Sequence, residues 1–177
     1  MRILAVLLTC LSTVGAGSAA QAASLTPQTI AARVEAHGAK ATLWQIYDSP
    51  SEWSALLKGI ASGTVPWLKI ANQFLPVSDA GATEQLQLAV GEALERHPDN
   101  VLRIAVPLFD MIYVCGGPDI DDPRYDSYEL ATQAVDRRKL KLRSVSDASL
   151  LKPRDECIRT IEDSKTGIAR FYGVTHR

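Results

Sequence analysis

Apolar residues recur at spacings of three and four through most of this chain, and prolines, glycines and capping residues interrupt them at short intervals. Thr26-Pro27 opens the first such run. Ile30, Val34 and His37 lie on one face, and Gly38 stops it. Ala39 to Tyr47 forms a second piece, closed by Asp48-Ser49-Pro50. A third begins at Ser49 or Ser51 and runs to about Ser62, with Trp53, Leu56, Leu57, Ile60 and Ala61 as its stripe. Gly63 ends it. Thr64-Val65-Pro66 starts a fourth, carrying Trp67, Leu68, Ile70, Ala71 and Phe74 up to Pro76. Ser78 or Asp79 opens a fifth, about Ala82 to Arg96, which His97-Pro98-Asp99 breaks before a short helix at Val101 to Ala105.

Two of these units match. Trp67-Leu68-Lys69-Ile70-Ala71 and Val101-Leu102-Arg103-Ile104-Ala105 agree in residue type at every position, with an offset of 34, and Leu56 and Ile60 pair with Val90 and Leu94 at the same offset. Each unit is helix, proline break, helix, the signature of stacked helical hairpins of the HEAT or TPR kind. Two units are fewer than a free-standing array needs, so the pattern predicts a compact all-α domain with hairpin-repeat character.

Leu108 to Cys115 is apolar and partly aromatic, too short for periodicity to separate helix from strand. No partner strand is visible, so helix is favoured, ending at Gly116-Gly117-Pro118. Asp119 to Arg124 reads as an acidic loop. Asp122-Pro123 then caps a long helix to about Val145, with Tyr128, Ala131, Val135, Leu142 and Val145 on its face. A last helix, Pro153 to Asp163, holds Cys157, Ile158 and Ile161, and residues 164–177 form a partly ordered tail.

The first 22 residues follow a different rule. One charge at Arg2, an apolar run from Ile3 to Val14, and small residues ending in Ala20-Gln21-Ala22 have the form of a cleaved secretory signal peptide. The apolar run is shorter than the roughly 20 residues that span a membrane. Cleavage after Ala22 leaves 155 of the 177 residues as residues 23–177, a single domain. The Ala-rich processing site points to a bacterial periplasm. No second apolar stretch reaches membrane length, so the mature chain is expected to have no span.

Export changes the meaning of the remaining residues. Arg2 leaves with the signal, so 18 Lys and Arg face 20 Asp and Glu. That balance argues against a nucleic-acid partner, which needs a strongly basic face. Cys10 leaves too. Cys115 and Cys157 remain, and an even count in an oxidising compartment favours a disulfide over two buried thiols. Losing a link that closes a loop of 42 residues is expected to cost about 2–5 kcal/mol.

Candidate chemistry thins out on inspection. Ser149-Leu150-Leu151-Lys152 and Lys165-Thr166-Gly167 echo two boxes of penicillin-recognising enzymes, but they lie too close together and the third box is missing. The acidic loop lacks the glycine and the final glutamate of a calcium loop starting at Asp119, with Arg124 and Leu130 in those places. Asp136 to Arg143 is basic and reads as a solvated helix face near a helix C-terminus. Trp44, Trp53 and Trp67 fall at core positions. The sequence assigns no catalytic residue, no metal ligand and no cofactor.

The Trp-Leu-x-Ile-Ala unit, the Asp79-Ala80-Gly81-Ala82 link and the Val101-Leu102 helix, with a signal peptide and two late cysteines, resemble small exported helical proteins of Gram-negative bacteria. In general design the chain is also similar to periplasmic immunity proteins. That resemblance implies a non-enzymatic protein that binds another protein in the envelope, as an inhibitor or immunity protein. The alternative is a periplasmic hydrolase with a site assembled from scattered residues such as His97, Asp99 and Asp110.

Overall fold

Side-chain caps mark five of the nine described α-helix starts. In a computed structural model describing residues 25–174, α1 (Pro27–His37) follows Thr26, whose hydroxyl accepts the Thr29 N–H at 3.1 Å while the Thr29 hydroxyl accepts the Thr26 N–H at 2.9 Å. This reciprocal pair satisfies two backbone donors that a helix start leaves open. Gly38, at φ 81°, turns the chain straight into α2 (Ala39–Tyr47). Ser49 caps α3 (Pro50–Ala61), Thr64 precedes α4 (Val65–Phe74), and Asp79 caps α5 (Ala80–Ala93). Prolines in the first turns of α1, α3 and α4 cost no helical hydrogen bond there.

A single turn, α6 (Pro98–Asn100), continues into a π-helical stretch at Val101–Ala105. The open segment Leu108 to Cys115 resolves as helix over one turn, α7 (Met111–Cys115), with the Asp110 carboxylate accepting the Ile112 N–H at 2.9 Å. The long helix α8 (Tyr128–Arg143) starts later than Asp122-Pro123. The Asp122 side chain closes on the Arg124 N–H at 2.8 Å and makes a 3-10 turn, and Ser127 caps the helix instead. The last helix, α9 (Leu151–Phe171), does not stop at Asp163. Ile168 and Ala169 extend the buried stripe of Cys157 and Ile161. Gly167 inside it faces open space and costs only its weak helix propensity, about 1 kcal/mol.

Among the described residues there is no strand, and no helix is long and apolar enough to cross a membrane. The signal peptide, its cleavage site and Cys10 lie outside the described residues.

Packing follows the predicted faces. α3 packs on α5, and Leu56 and Ile60 of α3 share one core with Leu86, Val90 and Leu94 of the α5 side, all fully buried. α4 packs on the Val101–Ala105 stretch, where Asn72 Nδ2 donates to the Ile104 carbonyl at 2.7 Å. α7 lies between α5 and α9. Cys115 and Cys157 stand at disulfide distance, 5.3 Å between Cα atoms, with both side chains wholly buried. The bridge therefore ties the α8–α9 pair to the N-terminal helices through a helix of one turn. Trp53 is buried and donates its indole N–H to Gln85 Oε1 at 2.7 Å. Trp67 lies over Gly59, where a Cβ would come within 2.5 Å of the ring. Trp44 is half-buried, edge-on to Tyr47.

Candidate functional site

The bend from α5 through the acidic loop into α8 leaves a cleft of about 660 Å³. α3 and α5 form one side, and the loop from Asp119 to Arg124 forms the other. Leu57, Leu88, Ala61 and Ala89 give it an apolar floor. A second hollow of about 440 Å³ shares Glu92, Arg96 and Arg124 with the first and adds Glu95, Tyr125 and Arg137, so the two form one groove.

Ion pairs organise its walls. Arg124 donates to Glu92 Oε1 and to Asp122 Oδ2, each at 2.6 Å. The Arg124 hydrogen bonds hold the Asp122 carboxyl below its ordinary range and push the Arg124 guanidinium further up. The guanidinium lies 5.4 Å from the centre of the Tyr125 ring, and burial raises that phenol. Glu95 faces two cations: Arg137 Nε at 3.3 Å and Arg138 Nε at 3.6 Å.

Asp136 to Arg143 is a mostly exposed face, and Arg138 is its charged exception. It is 1 % exposed, the largest of the fully buried side chains. Its Nη1 donates to the Gly117 carbonyl at 2.5 Å, and its Nε has no hydrogen-bond partner. Burial lowers its pKa, opposed first by Glu95, and an arginine stays charged in any case. Space for it comes partly from Gly91 of α5, where a Cβ would stand 2.9 Å from the Val114 carbonyl and 3.4 Å from Arg138 Nη1. Arg137 pairs with Glu95, Lys139 with Glu162, and Asp136 with Lys165, so half of this run is engaged inside the molecule. A sequence signal for Arg138 did exist. The stripe Ala131, Val135, Leu142, Val145 has a gap at 138, where helical spacing demands a buried residue.

The other sequence candidates do not converge. His97 and Asp99 are exposed, Asp110 is spent on capping α7, and no hydrogen bond joins the three. Ser149 donates to Asp147 Oδ1 at 2.7 Å and Lys165 pairs with Asp136, so each is engaged with a different carboxylate. Among the described residues, no group of three or more His, Cys, Asp or Glu side chains is placed to hold a metal ion.

A second surface lies on the outer side of α7. Leu108, Ile112 and Tyr113 are 60, 69 and 47 % exposed, while Phe109, Val114 and Cys115 between and behind them are buried. Sequence reasoning placed this segment in a helix without separating its two faces. No protein-family model, curated protein or solved structure matches this chain.

Proposed function

We propose that this is an exported, non-enzymatic protein of the bacterial envelope that binds another protein, as an inhibitor or immunity protein. The observation that carries this reading is the knuckle formed by Leu108, Ile112 and Tyr113. Three large apolar side chains within six residues face solvent. The turn that presents them is fastened from behind by Cys115 and Cys157 and from its start by Asp110. A rigid aromatic and aliphatic cluster is what protein interfaces use as an anchor. Fixing it beforehand lowers the entropy lost on binding.

Two further parts of the reading have support of their own. A buried cysteine pair fits an oxidising compartment, and so supports a periplasmic location after removal of residues 1–22. The hairpin repeat is supported by side-by-side packing of matching elements, α3 on α5 and α4 on Val101–Ala105. Polar links cross between the units at similar sequence separations: Trp53 to Gln85, Asn72 to Ile104 and Asn100 to Gly63. Repeats of this kind offer binding surfaces.

The test is affinity capture from envelope extract with protein starting at Ala23, beside an Ile112→Asp, Tyr113→Ala variant. The wild type should retain a protein that the variant loses, with unchanged melting temperature. Loss of a central apolar anchor costs about 2 kcal/mol or more, roughly 30-fold in affinity. Identical capture by both proteins, or hydrolytic turnover by purified material, would reject this reading.

A further inference from the structure

The groove beside α5 has a charge pattern that selects its ligand. Its four carboxylates are Glu92, Glu95, Asp119 and Asp122. Arg124 engages Glu92 and Asp122, and Glu95 is shared between Arg137 and Arg138. On the α3–α5 side of the groove, Lys58 and Arg96 have no carboxylate partner among the described residues. Arg96 uses one N–H on the Ala61 carbonyl, at 2.5 Å, which leaves most of its donors open to the cleft. Arg138 adds a cation that solvent hardly screens, directly behind Glu95, with an unpartnered Nε. Four cations and four carboxylates line the groove, and among the described residues Lys58, Arg96 and Asp119 are left without an ion pair, so the unpaired charge beside Leu57 and Leu88 is net positive.

We propose that this groove receives an extended acidic segment of a partner protein, with apolar side chains on Leu57 and Leu88 and carboxylates on Lys58 and Arg96. The cleft volume of about 660 Å³ lies within the roughly 300–1,000 Å³ usual for ligand sites, enough for a few side chains. The apolar floor supplies area to bury, and the rim supplies charge-assisted hydrogen bonds. A basic segment would find only Asp119 of the four carboxylates without a cation among the described residues, the other three being engaged by Arg124, Arg137 and Arg138. The inference rests on the reading of the chain as a binding protein, but uses a different surface from the α7 knuckle.

The test is display selection of random 12-residue peptides on protein starting at Ala23, followed by fluorescence anisotropy of the most enriched peptide. Enrichment of Asp or Glu next to apolar residues is expected. Lys58→Glu should weaken the selected peptide at least tenfold, as should Arg96→Gln, while Ile112→Asp should leave it unchanged. Among the described residues the Lys58 side chain makes no hydrogen bond or ion pair, so K58E remains informative if R96Q disturbs the end of α3. Three results would overturn the groove as the site: no enrichment, selected peptides without acidic residues, or capture of anionic phospholipid vesicles in place of peptides. Binding lost in I112D but kept in K58E would overturn it as well, and would leave the binding-protein reading standing.

Discussion

Removing the Cys115–Cys157 link should cost a large share of this protein's stability. The link closes a loop of 42 residues. In the chain-entropy treatment a loop of that length loses about 13 cal/mol/K, or about 4 kcal/mol at 25 °C. Typical domains have about 5–15 kcal/mol in total. The structure concentrates the effect. α7 has only five residues, too few to form a helix in isolation, and it is held by burial of Val114 and by the bridge to α9. Serine is a poor probe, because both sulfurs are wholly buried and a hydroxyl in that place adds about 1–3 kcal/mol of desolvation. Cys115→Ala, Cys157→Ala and the double variant separate the terms better. Each single variant already loses the whole cross-link, so the double should be little worse than the worse single. Thermal melts followed by circular dichroism should fall by roughly 8–16 °C, at about 2–4 °C per kcal/mol for a domain of this size. Ellman titration of denatured, unreduced protein starting at Ala23 should find no free thiol. Two thiols per chain, or three alanine variants melting within about 2 °C of the wild type, would refute the reasoning.

Glu95→Ala should destabilise more than Arg138→Met in urea unfolding. The first leaves a buried guanidinium with one carbonyl, a loss of about 3 kcal/mol for a pair of this burial, whereas the second leaves Glu95 with Arg137; the opposite order would show that Glu95 does not hold Arg138. Gly63→Ala should cost about 1–3 kcal/mol, because φ is +74° and the new Cβ would stand 3.0 Å from His97 Cβ; an unchanged urea midpoint would show the turn to be relaxed. Arg33 holds Glu52 low, Lys139 holds Glu162 low, Arg124 holds Asp122 low, and Ser149 and Arg103 bring Asp147 to about 2. Carboxyls depressed in the folded state stabilise it fully above their unfolded values, 4.5 for Glu and 3.8 for Asp, and lose that contribution as pH falls through the folded values. The melting temperature should therefore be flat from pH 7 to about 5 and decline below about 4.5, with Asp147 lost last near pH 2. A melting temperature that rises on acidification in this window would contradict these ion pairs.

The sequence by itself determined the helical class and most helix ends. Thr26-Pro27, Gly38, Ser49-Pro50, Gly63 and Asp79 act on backbone groups within one turn, so their effect is written beside them. Where two local signals competed, it chose wrongly: Asp122 and Ser127 both can cap, and Asp122 closed on Arg124. The cysteine pair was legible because only two cysteines follow the apolar run of residues 3–14. Tertiary structure alone decided the rest. Arg138 is buried because Gly91 makes room for it and Glu95 and Gly117 receive it, and those partners lie 21 to 47 residues away. The groove draws on α3, α5 and the loop before α8, and the two faces of α7 exist only because α5 and α9 cover one of them. Such contacts depend on how separate elements pack, and packing leaves no mark within the few residues over which caps and periodicity act.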